Sequence, residues 1–250
     1  EIAGTWEIDI PIDKEQFNAI KEVYPIDKTV EIQGQRIYFD TLIIYPTRMV
    51  LDVKYDERNT IKLFDFEGLK ITDEKGEWLT ISNGMSASII DDYSKKIYFQ
   101  SNYFNKPKEI YLEWEAIRGL DKDKLEVIVD LDKQELLKNP DNKLLFDGMY
   151  FLNGRAGKGE NKEILFKFLL EKNDGMPYMH YQILEGSFYD VTGKKIESMG
   201  YSTSTSVKND KVYEEIGYHI PADVNIKSPI TFKIIDYPNR IKIPHRLKIK

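Results

Sequence analysis

Cysteine is absent from the 250 residues, which excludes disulfide staples, thiolate nucleophiles and cysteine-based zinc or iron–sulfur sites together. The compartment stays open, since exported chains also do without it. No run of about 20 apolar residues occurs, so no segment has the composition of a membrane-spanning helix. The longest apolar stretches, such as Thr41–Tyr45, are strand-length. An excess of positive charge is missing too. The net charge of −6 argues against a general nucleic-acid binder, which needs a concentrated basic surface. Histidine is limited to His180, His219 and His245, with no metal-ligand spacing and no Ser-His-Asp order.

What the chain does contain is a near-copy of itself. Trp6–Lys14 returns as Leu125–Lys133, matching in residue type except where Asp9 and Pro11 become Ile128 and Asp130, a displacement of 119 residues. Glu67-Gly68, Asp73 and Gly76 return as Glu185-Gly186, Asp190 and Gly193. Gly84-Met-Ser86-Ala-Ser88 returns as Gly200-Tyr-Ser202-Thr-Ser204, and Lys96-Ile-Tyr98 as Lys211-Val-Tyr213, displaced by 115. Solenoid units repeat every ~20–50 residues; this period has the length of a small domain. Two domains are therefore expected, 1–120 and 121–250, joined through Gly119–Lys124. Each is long enough to bury its own core.

Period-2 alternation runs through both copies, in Trp6–Ile12, Met49–Tyr55 and Phe166–Leu170, and places one face on a core and the other in water. Val, Ile, Tyr and Phe are frequent and Ala is scarce, which favours strands. Turn signals at Gln33-Gly34, Glu74–Gly76, Asn83-Gly84, Asp147-Gly148 and Thr192-Gly193 have hairpin spacing. Asp13 before Gln16 and Asp132 before Glu135 resemble capping boxes, which predicts one short helix per copy, closed by Pro25 and Pro140. The fold class expected is all-β: two tandem immunoglobulin-like β-sandwich domains, each with one short helix, with a closed barrel as the competing solution.

The candidate chemical motifs each have a plainer reading. Gly154–Gly159 resembles a phosphate loop, but Leu152 replaces the first glycine, Gly159 replaces the hydroxyl residue, and a strand follows. A basic hairpin loop is the expectation there. Gly84–Ser88 and Gly200–Ser204 lack the last glycine of a nucleophile elbow; their presence in both copies points to a structural β-turn with side-chain hydrogen bonds. Asp91-Asp92 and Asp121-Lys-Asp123 lack a calcium-loop rhythm and are expected to be surface loops. The sixteen tyrosines are expected to be mostly half-buried strand residues, with some left for partner or carbohydrate contacts. No catalytic, cofactor-binding or metal residue is assigned, and no cofactor is expected. Regions where the copies differ, Gly154–Gly159, Ser202–Ser206 and Gly119–Lys124, are the places to look for function. Binding is expected at a crevice between the domains or at an exposed sheet edge that accepts a strand.

Gly4-Thr-Trp6-Glu-Ile-Asp-Ile-Pro-Ile-Asp13, followed by Lys28–Gly34 and Tyr45-Pro46-Thr47, resembles the extracellular region of Bacillus-type membrane-bound anti-sigma factors, negative effectors of extracytoplasmic-function sigma factors that carry domains of unknown function. The resemblance covers the first copy; the second follows through the repeat. It implies a non-enzymatic sensor or interaction region on the outer face of the cell membrane. The membrane helix and the cytoplasmic sigma-binding segment are expected upstream of Glu1. The partner implied is an unknown extracellular ligand or protein. The sigma factor is reached only through the missing segment, and nucleic acid is not a partner. The alternative is a cell-surface adhesin or carbohydrate-binding protein. A hydrolase working through a carboxylate pair ranks third.

Overall fold

The structure is a computed structural model that describes residues 7–8, 20–77, 85–152, 161–170, 182–209 and 211–250. It is all-β, with 67% strand and 3% helix, so its backbone polar groups are satisfied between strands rather than within helices. In chain order the strands are β1 (Glu22–Ile32), β2 (Gln35–Ile44), β3 (Arg48–Tyr55), β4 (Ile61–Glu67), β5 (Lys70–Asp73), β6 (Gly76–Glu77), β7 (Ser86–Asp91), β8 (Ser94–Gln100) and β9 (Ile110–Asp121). They continue with β10 (Glu126–Asp130), β11 (Glu135–Lys138), β12 (Leu144–Leu152), β13 (Asn161–Leu170), β14 (Leu184–Asp190), β15 (Lys195–Glu197), β16 (Gly200–Lys208), β17 (Lys211–Pro221), β18 (Ile230–Ile234) and β19 (Arg240–Lys248).

The chain packs as two compact units. One comprises Glu1–Asn59, Phe66–Ala116 and Lys242–Lys250, the other Thr60–Asp65 and Ile117–Ile241. In the first, one sheet runs β1-β2-β3-β8-β7 and the other β19-β9-β5-β6; β4 pairs β9, and residues 61–65 of β4 and 117–121 of β9 belong to the second unit. In the second, the sheets run β11-β10-β18-β14-β15 and β12-β13-β17-β16.

Alternation supplies the core of each unit. In the first, Phe39 of β2 stacks on Trp114 of β9 at 5.4 Å, and Phe66 meets the same indole edge-on at 5.4 Å. In the second, Phe166 of β13 meets Phe232 of β18 edge-on at 5.3 Å, and Phe188 of β14 lies 4.8 Å from Phe232. Each unit therefore shares one aromatic core between its two sheets. Full burial of each such ring stabilises by about 1.5–3 kcal/mol.

The turns explain why the repeated residues are shared. Asp73 Oδ1 accepts the amide of Lys75, and Asp190 Oδ1 accepts the amides of Thr192 and Lys194 and the Thr192 hydroxyl. Gly76 and Gly193 follow at φ 125° and 80°, a region in which a Cβ is strained. Those donors hold the Asp190 carboxyl below the usual aspartate range, the Thr192 hydroxyl first among them.

Three expectations change. The Asp132 capping box does not start a helix. Asp130 accepts the amides of Asp132 and Lys133, Gln134 takes φ 57°, and the chain turns straight into β11. A side chain that captures amides in a turn competes with the helix it would otherwise cap. Among the described residues helix is confined to two single 3-10 turns, Tyr103–Asn105 and Lys122–Lys124; the first capping box, at Asp13, lies outside the described residues. Asp147-Gly148 is not a turn but a bulge inside β12, with the register shift between Phe146 and Gly148 and Gly148 at φ 136°. Ser86–Ser88 and Ser202–Ser204 are strand, not turn. Asn83-Gly84 lies outside the described residues, whereas Gln33-Gly34 closes the β1–β2 hairpin with both residues at positive φ, as a two-residue hairpin turn requires.

Candidate interaction surface

The repeated Ser-x-Ser segments occupy equivalent places. β7 is the last strand of its sheet and β16 the last strand of its own; β7 hydrogen-bonds to β8 and β16 to β17. Among the described residues no strand pairs with the outer edge of either. Every residue of β7 is exposed, with Ile89 82% and Ile90 58% accessible, and on β16 Tyr201 and Val207 are 52% and 72% accessible. An edge of this kind offers free main-chain donors and acceptors beside apolar side chains, the combination that strand addition uses.

Ser202–Ser206 therefore lies on β16, with the Ser202 and Ser204 hydroxyls on the outer face of the sheet beside Gly217 and Glu215. Ser202 Oγ donates to Glu163 Oε1 at 3.1 Å and Ser204 Oγ donates to Glu215 at 3.2 Å. Glu163 belongs to β13, two strands away, and reaches Ser202 by lying across Gly217 of β17. A Cβ on Gly217 would fall inside contact distance of both the Glu163 carboxylate and Ser202 Oγ. His219 Nε2 stands 3.6 Å from the same Glu163 oxygen. The carboxylate is thus the middle member of a Ser–Glu–His row. A serine nucleophile needs the imidazole next to its hydroxyl and the acid behind the imidazole, so this row orders side chains rather than activating a serine. Beside it Lys167 bridges Asp147 at 3.0 Å and Glu215 at 3.5 Å, and the bond to Asp147 raises the lysine above its usual range.

The other candidates disperse. Asp91 accepts the amide of Tyr93 in the β7–β8 turn, and Asp121 pairs with Lys124 at 2.9 Å. Gly119, at the expected junction, lies inside β9 where its backbone approaches β4: a Cβ there would meet the Ile61 side chain and the Lys62 carbonyl. Its neighbour Arg118 forms a two-pronged bond to Asp236, both distances 3.0 Å. His245 stacks on Trp114 at 4.8 Å. Among the described residues no group of three or more His, Asp and Glu could hold a metal, and no helix is long and apolar enough to cross a membrane. Gly154–Gly159 and His180 lie outside the described residues. Sequence reasoning missed Glu163 and Gly217; the available signal was a glycine inside the alternating run Ile216–Ile220, which marks a close approach in a strand.

An all-β protein with two sheets per unit and open sheet edges is the class that fold and surface define. Residues 21–139 match a family of unknown function, DUF5643. The matched stretch begins beyond the first copy of Trp6–Lys14 and ends just past the second. No curated protein and no solved structure matches.

Proposed function

We propose that this chain is a non-enzymatic extracytoplasmic sensor or interaction region of a membrane-anchored anti-sigma regulator, built from two immunoglobulin-like units. The observation that carries the reading is the pair of equivalent sheet edges, β7 and β16, each an exposed strand that no strand pairs on its outer side among the described residues. The resemblance of Gly4–Asp13 to the outer region of such regulators supplies the cellular setting. In this reading a partner adds to a sheet edge outside the membrane, and the change is transmitted through a helix that precedes Glu1. The test uses the complete gene in its host. Deleting codons 20–250 should uncouple an adjacent sigma factor's promoter activity from external conditions while leaving the sigma-binding segment able to repress. A gene with no membrane helix and no sigma-factor neighbour would overturn the reading.

A further inference from the structure

The two units fill the same structural place with different parts of the chain. Asp73 stands opposite Ile110 and Ile71 opposite Leu112 in the β5–β9 pair, just as the repeat-related Asp190 stands opposite Ile230 and Phe188 opposite Phe232 in the β14–β18 pair. β9 of the first unit is thus the counterpart of β18. On the far side of β18 lies β10, with Val129 opposite Ile230 and Val127 opposite Phe232. The first copy of that strand in the sequence is Glu7–Pro11. Yet its Ile8 is 83% exposed, where the matching Val127 is fully buried. The place beside β9 belongs instead to β19, from the other end of the chain. Ile249 N donates to Ile110 O at 2.8 Å, Ile110 N donates to Lys250 O at 3.3 Å, and His245 stacks on Trp114.

Charge explains which claimant holds the place. Arg240–Lys250 carries five cations and no acid. Arg246 Nε lies 3.1 Å from Glu113 and its guanidinium 3.8 Å over the Tyr111 ring. Lys248 reaches Glu109 at 2.6 Å and holds that carboxyl below its usual range. With His245, Leu247 and Ile249 replaced by Trp6, Ile8 and Ile10, the intervening positions would carry Glu7 and Asp9 against those acids, a like-charge pairing that destabilises a strand pair. Pro244 also fits β19 to an outermost position, where no ladder donor is needed.

We propose that the edge of β9 is a strand-acceptor site specific for a basic, alternately apolar strand, and that its occupant β19 is exchangeable for the β19 of a second copy of this chain. β19 is then a ligand carried by the chain, and copies can be linked by passing it between them, a form of strand addition.

The test probes the full chain with a fluorescent peptide of sequence Arg240–Lys250. In the Arg246→Glu/Lys248→Glu chain, where the internal strand is weakened, the peptide should bind at least ten-fold more tightly than to the unaltered chain. A peptide with the same two reversals should not bind, nor should a Trp6–Asp13 peptide compete. Equal binding to both chains, or binding blind to peptide charge, overturns the proposal. In case the variant does not fold, a protease site placed at Asn239 and cut after folding gives a nicked full-length chain. Exchange of its released strand for the labelled peptide supports the proposal, and failure to exchange overturns it. Mixing the Arg246→Glu/Lys248→Glu chain, which keeps the acceptor, with a Glu109→Lys/Glu113→Lys chain, which keeps the donor, should give a one-to-one dimer by sedimentation. Two unmixed monomers would overturn exchange between copies.

Discussion

A methyl group on Gly217 would press on the Glu163 carboxylate and the Ser202 hydroxyl together, so a single glycine decides whether β13 and β16 can bond across β17. Glu163 is free to swing outward, because its carboxylate is the mobile end of its side chain. The Gly217→Ala change is therefore expected to cost about 1 kcal/mol or less, the size of the hydrogen bond lost. In a Glu163→Ala background the same change should become neutral or stabilising. A double-mutant cycle by urea unfolding checks this, and zero coupling would show that the crossing contributes nothing. Asp190 makes a second prediction at this scale. Its folded carboxyl is held below the ordinary aspartate value of 3.8 by the Thr192 hydroxyl and turn amides. Its contribution is complete above that value and fades as pH falls below it. Asp190→Asn should thus be less stable than the parent at pH 7, and the gap in denaturation midpoint should close in acid. A pH-independent gap would mean that the charged form is not what the turn favours. The repeat made Asp190 and Gly193 legible as a turn, whereas Glu163 stayed hidden because nothing local joins it to Ser202, 39 residues away.

Elements were legible where side-chain period alone settles them, and misread where two local uses of the same residues compete. Alternation in Met49–Tyr55 and Phe166–Leu170 corresponds to β3 and β13 because a strand needs only period 2 and a buried face. Asp132-Lys-Gln-Glu135 has the residues of a helix start, yet Asp130 captures the amides first and Gln134 completes a turn. The Ser-x-Ser segments show the same limit: their composition suits a turn or an edge strand, and only the sheet order separates the two. The exposure of Ile89 on β7 and Val207 on β16 leads to a prediction for these edges. Ile89→Lys and Val207→Lys should each change stability by no more than about 0.5 kcal/mol. Together they should reduce concentration-dependent self-association in light scattering, since lysine on an edge opposes strand addition. Loss of folding in either variant would show that these side chains are covered rather than open.

Across the whole molecule, the sequence disclosed that the chain is duplicated but not how the duplication is completed. Strand pairing between β9 and β19 joins residues far apart in the chain, 139 positions in the Lys248–Glu109 bond, and alternation carries no address of that kind. What the sequence did hold was charge placement. The last eleven residues carry five cations, while the other 239 carry 31 cations and 42 acids, so β19 is the basic strand of an acidic protein. Its docking should then respond to conditions more strongly than that of β10 on β18, where Val127 and Val129 face Phe232 and Ile230 and only Glu126 against Lys233 sets opposite charges across the pair. Salt screens the exposed Arg246–Glu113 and Lys248–Glu109 pairs. Acid removes the second of them: Glu109 is held below its ordinary 4.5 chiefly by Lys248, so its contribution is present above that value and lost as pH falls through the lowered one. Hydrogen exchange on the intact chain measures both effects at single amides. Ile249 N, bonded to Ile110 O, should lose protection relative to Ile234 N, bonded to Leu125 O, as salt is raised from 50 mM to 1 M, a range over which the screening length falls to about 3 Å. The same divergence should follow acidification at fixed salt, after correction for intrinsic exchange. If the two amides instead keep a constant ratio through both titrations, β19 is held as an ordinary core strand and its charges do not govern its docking.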